Sequence, residues 1–363
     1  MFIGCTKKLQ DEMKIKAQEA EDTNDLYSWS AHLIIVNRKK ILVVVNDSNR
    51  FGFVISGLKA KDFKILDKLI LNGIRKCLKN EWIKEEIIEQ YLNETGAICF
   101  SKTKGSKYVS RLNKACEVVK FFPELIDLQS SYQFSITNIM NSDLVKIDKQ
   151  DYEHPYELFL RDFKKAYGES IIKCKAVNLL IKLDVGVYIA QRKVITPVDT
   201  TFKQLHEIIQ SVFEWKNCHS HDFNVFDKRG KCILNVITNL DDVLELRQDC
   251  ETAVESEVFV SDYIKGEFKI IYCYDFGDNW QHEITMQQVS IDYDKNYPVC
   301  LEGVGNAPPE DIGGVPGYEE FFKVISDPTH PAYAEAKDFA IEKSYKKFDI
   351  DLVNRELRYS FKK

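Results

Sequence analysis

Residues 171–213 read IIKCKAVNLLIKLDVGVYIAQRKVITPVDTTFKQLHEIIQSVF, and this stretch decides the fold of the second half of the chain. From Ile171 to Leu183 the side chains alternate. Cys174, Ala176, Asn178 and Leu180 share one face; Lys173, Lys175, Val177, Leu179, Ile181 and Leu183 share the other. Asp184 marks a turn, and Val185–Ile195 reads as the returning strand. The period then changes. Thr200 is the expected N-cap of a helix over 202–213, with Phe202, Leu205, Ile208, Ile209, Val212 and Phe213 as its apolar stripe. Further strands are expected near Asp222–Phe226, Cys232–Val236, Phe268–Tyr274 and Trp280–Met286. A Gly/Pro-rich loop follows over Tyr297–Gly317, then helices over Tyr318–Ile325, Ala332–Ile341 and Leu352–Leu357. The pattern predicts an α+β domain: a mixed or antiparallel sheet with a grasp-like strand–strand–helix–strand start and C-terminal helices.

The first half has its own strands and helices. His32–Val36 and Ile41–Val45, either side of Asn37-Arg38-Lys39-Lys40, predict a hairpin, and Phe51–Ser56 a third strand. Helical periodicity covers Ala60–Leu78 and Trp82–Leu92. Ala97–Phe100 reads as a strand, Ser101–Lys107 as a basic loop, and Ser110–Phe122 as a helix ended by Pro123. The polar stretch 141–157, with Pro155, marks the expected boundary between two α+β domains, 1–145 and 156–363.

Charge separates the halves. Residues 1–150 hold 24 Lys+Arg against 19 Asp+Glu, a mildly basic +5, whereas 151–363 carry −11, which together give the chain's −6. An acidic surface is repelled by phosphate backbones, so nucleic acid, if bound, is expected on the first half. The candidate patches there are Arg38, Lys39 and Lys40, and Lys102, Lys104 and Lys107. With 44% hydrophobic and 29% charged residues over 363 positions, wholesale disorder and coiled coil are excluded. No apolar run reaches the ~18 residues of a membrane span, and the N-terminus has no secretory apolar region, so a cytoplasmic protein without a membrane partner is expected. Ten cysteines are scattered without a C-x-x-C pair, which predicts reduced thiols, most of them buried.

Chemistry concentrates in the second half. His219-Ser220-His221 is an H-x-H, and on a strand its two imidazoles share a face. His206 lies on the preceding helix. Asp275-Phe276-Gly277-Asp278 reads as a hairpin turn in which Gly277 supplies the positive φ, followed at once by Trp280 and His282. No Gly-rich phosphate loop or His-Arg-Asp loop accompanies this Asp-Phe-Gly, so it is no kinase signature. In the Gly/Pro-rich loop Glu310 and Asp311 are adjacent; their side chains should diverge, one toward a site and the other capping the helix expected near Tyr318. His206, His219, His221, Asp275, Asp278, His282, Glu310 and Asp311, with Cys300, form an inventory able to bind a divalent Zn, Mn or Fe ion. Trp215, Trp280 and Tyr318 are candidate aromatic anchors of a recognition surface.

These motifs together resemble the plasmid Ri open-reading-frame-three-like family over residues 156–359. The resemblance runs through Phe202-x-x-Leu205-His206-x-x-Ile209-Gln210-x-x-Phe213-x-Trp215 and His219-x-His221-x-Phe223. It continues in Tyr274-Asp275-Phe276-Gly277-Asp278-x-Trp280-x-His282 and Pro308-Pro309-Glu310-Asp311-x-Gly313-Gly314-x-x-Gly317-Tyr318. It closes in Asp327-Pro328-x-His330-Pro331-x-Tyr333 and Val353-Asn354. One departure is Tyr188-Ile189-Ala190-Gln191-Arg192, where the family usually carries Trp-Arg. The first half is similar to a separate uncharacterised domain that can precede this one. The resemblance implies an α+β fold and a link with mobile genetic elements, since its members often bear a TnpR label. This chain shows neither a recombinase-type catalytic serine domain nor a helix-turn-helix.

The leading expectation is a non-catalytic binding or adaptor module with an unknown protein or small-molecule partner. The alternatives are a metal-dependent hydrolase or nuclease built on the His/Asp/Glu inventory, and nucleic-acid binding through the first half.

Overall fold

A computed structural model describes residues 1–20, 24–147, 151–239, 250–263 and 268–360. The chain divides into two compact units at Lys173/Cys174. The first unit runs past the polar stretch at 141–157, because helix Pro155–Tyr167 buries Tyr156, Phe159, Leu160 and Phe163 in its core. Among the described residues no helix is long and apolar enough to cross a membrane.

The N-terminal unit holds strands β1 (Phe2–Cys5), β2 (Ser28–Val36), β3 (Lys39–Asn46), β4 (Gly52–Ser56) and β5 (Cys99–Lys102). Their spatial order is β4-β3-β2-β1-β5, antiparallel on the hairpin side and parallel from β2 to β5. The hairpin closes through Asn37 and Arg38, both left-handed (φ 48° and 62°), the backbone that a two-residue turn requires. The helices are α1 (Lys7–Met13), α2 (Leu66–Asn80), α3 (Glu85–Thr95), α4 (Ser106–Phe121), α5 (Phe134–Ser142) and α6 (Pro155–Tyr167). A short pair, β6 (Val145–Lys146) and β7 (Tyr152–Glu153), precedes α6. The unbroken apolar run of β3 is explained by burial on both faces. Leu42 and Val44 join a core with α2, α3 and α6, while Ile41, Val43 and Val45 join another with α4 and α5.

The C-terminal unit contains β8 (Cys174–Asp184), β9 (Ile189–Pro197), α7 (Phe202–Phe213), β10 (His221–Phe226), β11 (Cys232–Ile237) and β12 (Glu251–Val254). β13 (Lys269–Tyr274), β14 (Trp280–Tyr293), β15 (Val299–Val304), α8 (Gly314–Ser326), α9 (Tyr333–Glu342) and α10 (Ile350–Ser360) complete it. Eight strands form one mixed sheet in the order β12-β11-β10-β13-β14-β8-β9-β15, in which only β11 and β12 are parallel neighbours. The core joins Val177, Leu179, Ile181 and Leu183 to the stripe of α7. That helix is capped by Thr201, not Thr200. The Thr201 Oγ1 accepts from the Gln204 amide and the Gln204 side chain accepts from the Thr201 amide, a full capping box.

The expected loop at Tyr297–Gly317 instead contains strand β15, and its helix begins at Gly314. β15 is an edge strand finished by a side chain. The Asn354 amide of α10 accepts from the Cys300 N–H (2.8 Å) and donates to the Cys300 C=O (3.0 Å), imitating a neighbouring strand. Asn354→Leu leaves both buried peptide groups unpaired. A loss of about 2–3 kcal/mol is expected in denaturant unfolding; an unchanged midpoint would show that water replaces the amide.

Candidate functional site

Three loops meet at one end of β10, β13 and β14. The first, 214–220, leaves α7. The second is the turn Asp275–Asn279 between β13 and β14, and the third, 305–313, leads into α8.

The first loop is held by a closed ring of hydrogen bonds. Gln210 Nε2 donates to the Tyr272 hydroxyl (2.9 Å), which in turn donates to His206 Nδ1 (2.8 Å). This assignment leaves the proton on His206 Nε2, which donates to Asn217 Oδ1 (3.0 Å). The Asn217 amide N–H closes the ring on Gln210 Oε1 (2.8 Å). Every donor points the same way around the circuit, so each bond polarises the next. The ring fixes Asn217 in the left-handed region (φ 53°) and thereby presents Cys218 and His219. Burial, with His221 alongside, holds His206 down at about 4, so its imidazole is neutral at pH 7.

The second loop is shaped by its own carboxylate. Asp275 Oδ1 accepts from the Gly277 amide (3.0 Å) and the Asp278 amide (3.3 Å). Positive φ falls on Asp275 (56°) and Asn279 (57°), not on Gly277 as the sequence predicts. Asp278 reaches across to the third loop, where its Oδ2 accepts from the Gly313 amide (3.1 Å) at the start of α8. Neither Glu310 nor Asp311 caps α8, which has no side-chain cap; Asp278 instead holds the amide of its N-cap residue. Gly314 is required there (φ 67°), since a Cβ would lie 2.8 Å from the Asp278 carbonyl oxygen.

The third loop delivers Glu310 and Asp311 to the same place. Glu310 is buried; its Oε1 accepts from the Lys216 amide (2.8 Å) and the Tyr274 hydroxyl (3.1 Å). Burial raises the Tyr274 phenol, which keeps its proton for that bond. The other oxygen, Oε2, is buried without a partner. It faces His219 Nε2 at 3.7 Å, with Asp275 Oδ2 at 3.5 Å and Asp311 Oδ1 at 3.0 Å from the same nitrogen. None of the three oxygens meets that nitrogen at hydrogen-bonding geometry. Asp311 Oδ2 is salt-bridged to Lys343 Nζ (2.7 Å), and this contact lowers the Asp311 carboxyl below its ordinary range. Cys218 Sγ joins His219 and Glu310 within 4.8 Å. The side chains grade from buried Glu310 (6%) to open Asp311 (53%).

The structure therefore sorts the predicted inventory. His219 is approached from two sides, by Glu310 with Cys218 and by Asp275 with Asp311. His206 and His221 do not join them. Their rings stack at 3.6 Å, and His221 Nε2 pairs with the buried Glu255 Oε2 at 2.9 Å. The H-x-H pair diverges because β10 starts only at His221, leaving His219 in the irregular loop, where period two does not apply. His282 is wholly buried and held at about 3, with Nδ1 3.3 Å from the Trp280 carbonyl oxygen. Asp278 acts on the backbone, and Cys300 lies on β15. Trp215, Trp280 and Tyr318 are 7%, 1% and 0% exposed, so these aromatics are core and not surface anchors. The sequence reading passes over Cys218 and Glu255.

The basic residues do not form one surface. Lys40 pairs with Glu12, Lys102 with Glu19 and Lys104 with Asp25. Arg38, Lys39 and Lys40 belong to the β2–β3 hairpin, whereas Lys102 ends β5 on the far edge of the sheet and Lys104 and Lys107 follow it.

Residues 175–357 match the plasmid pRiA4b ORF-3-like proteins, and residues 2–158 match a domain of unknown function, DUF6933. The uncharacterized protein y4hQ of Sinorhizobium fredii (strain NBRC 101917 / NGR234) is 30% identical over 169 residues, 47% of this chain and 82% of that protein. A protein of unknown function from Methanosarcina mazei Go1, MM3350, known from a crystal structure, is 28% identical, with a TM-score of 0.42 over 49% of this chain and 96% of that one.

Proposed function

Because the chain belongs to the plasmid pRiA4b ORF-3-like family, and the segment matched to it carries every group of the His219 cluster, we propose that its C-terminal domain is a binding module centred on a divalent transition-metal ion. Two ligand sets share His219: Cys218 and Glu310 complete the buried one, which we take as the site, and Asp275 and Asp311 form the more open one beside it. One observation carries this reading: a buried, unpartnered carboxylate oxygen aimed at an imidazole nitrogen that itself makes no hydrogen bond. Such a pair is costly unless a cation joins the two. The 3.7 Å from Glu310 Oε2 to that nitrogen is close to the ligand–ligand edge of about 3.4 Å in a site with 2.0–2.1 Å bonds. Imidazole plus carboxylate suits Zn, Mn or Fe. The open side, at Asp311 and Cys218, is where a protein or small-molecule partner with a donor atom would enter.

Protein prepared without chelator and loaded separately with Zn, Mn and Fe is expected to retain one equivalent of its preferred ion after desalting. His219→Ala and Glu310→Gln should lose it while keeping the wild-type circular dichroism. Equal retention by wild type and both variants would refute the site. Metal-dependent turnover of phosphoester, peptide or ester substrates would replace the binding reading with the hydrolytic one.

A further inference from the structure

On the far edge of the same sheet, two thiols meet. Cys232 begins β11, and Cys250 directly precedes β12, the edge strand, which is parallel to β11 in the register Leu234↔Glu251. Their sulfur atoms are 3.3 Å apart. Neither is disulfide-bonded. Cys232 is buried and Cys250 half-buried, and both line a surface groove with Lys231, Ile233, Glu251 and Tyr263.

We infer that Cys232 and Cys250 are a modification site: a dithiol that closes to an intrachain disulfide when the protein meets a peroxide. The thiolate of one cysteine attacks a peroxide oxygen; the O–O bond breaks, giving a sulfenic acid and, once the leaving oxygen takes up a proton, one water. The second thiol then attacks the sulfenic sulfur, the S–S bond forms, and a second water leaves. Two thiols lose two electrons and two protons, and hydrogen peroxide is reduced to two waters. The sulfurs must close to about 2.05 Å, a movement that falls to an edge strand held on one side only.

The position gives the bond a consequence. β12 runs directly into Glu255, whose amide donates to the Ile237 carbonyl (2.9 Å) and whose carbonyl accepts from the Lys203 amide (2.9 Å). Its carboxylate holds His221, and the His221 ring stacks on His206 of the hydrogen-bonded ring. Pinning β12 therefore pins Glu255 and the base of the loop that carries Cys218 and His219. The thiol pair stands independently of any metal at His219.

The test treats the full chain with a small excess of hydrogen peroxide, alkylates the remaining thiols and maps the peptides. The expected product is a dithiothreitol-reversible link between the peptides containing Cys232 and Cys250, with eight of the ten cysteines still open to alkylation. Cys232→Ser and Cys250→Ser should each abolish the link. The oxidised wild type should melt at a higher temperature than its reduced form, and the two variants should show no such rise. Both cysteines remaining alkylatable, or oxidation of either to sulfinic acid without the linked peptide, would overturn the inference.

Discussion

Arg192→Ala should remove about 3–5 kcal/mol from the C-terminal domain, a large part of the 5–15 kcal/mol that holds a typical domain folded. The guanidinium is fully buried. Its Nε donates to the Val212 carbonyl at the end of α7 (2.8 Å), and Nη1 donates to the carbonyls of Gln191 and Val304 (both 2.9 Å). The group lies 3.9 Å from the Phe348 ring centre and 4.9 Å from that of Phe213. One side chain thus ties α7, β9, β15 and the segment before α10. Alanine orphans buried carbonyls at about 1–3 kcal/mol each, forfeits the cation–π contacts and leaves a cavity. Burial lowers the guanidinium to about 10, still well above neutral pH, so the native residue is a cation solvated by carbonyls and rings. Arg192→Lys keeps the charge without the planar fork and should fall between wild type and alanine. Denaturant unfolding followed by the buried Trp215 and Trp280 measures this; a loss below about 1 kcal/mol for alanine would show that the tie is redundant.

Acid should act on the same domain. Burial holds His206 at about 4 and His282 at about 3, against an ordinary value of 6.5. Both are depressed cations. Below pH 6.5 the unfolded chain takes up two protons that the folded domain refuses, and stability falls as pH falls until about 4 and then about 3 are passed. Two refused protons give a slope near 2.7 kcal/mol per pH unit, so lowering pH from 5.5 to 4.5 should cost about 2–3 kcal/mol. Asp199, raised by burial, opposes this at the acid end. In the N-terminal domain Asp47 is pushed up by burial to about 6, so protonation there stabilises the folded form between about 6 and 3.8, against a depressed His32. The two depressed histidines should therefore make the C-terminal domain lose stability steeply on acidification. His282→Phe should halve its slope whatever the variant does to absolute stability; an unchanged slope would assign the effect elsewhere.

The legible parts of the fold are those where one physical signal acts alone. The helix at 202–213 has the bounds that its apolar stripe predicts, and the hairpin at 28–46 follows from β-branched runs around two left-handed residues. β15 and the first turn of α8 are hidden because Gly303, Gly305, Gly313, Gly314 and Pro316 read as loop. Gly303 is instead demanded by close packing, as a Cβ would lie 2.4 Å from the Phe348 ring. Residue types put His219, Asp275, Glu310 and Asp311 in one inventory with His206, His221, Asp278, His282 and Cys300, which lie elsewhere. Convergence could not be read, because it depends on three loops far apart in sequence and on a ring through Tyr272, which looks like any strand aromatic. Trp215 and Trp280 show the opposite failure. Their place in motifs suggests recognition, whereas their indoles pack against each other at 6.0 Å inside the core.

The place of β1 bears on how the chain is made. This strand of four residues lies inside its sheet, with Phe2 opposite Ser28 on one side and Cys99 on the other. At 5–20 residues per second, a ribosome delivers the second partner about 5–20 s after the first strand. Until then Ile3, an apolar residue that ends with no exposure at all, has one neighbour at most. A nascent chain arrested between β2 and β5 would carry an open parallel edge, ready to take up a strand from another chain. Slower translation over residues 46–99 would lengthen the time for which that edge stays open.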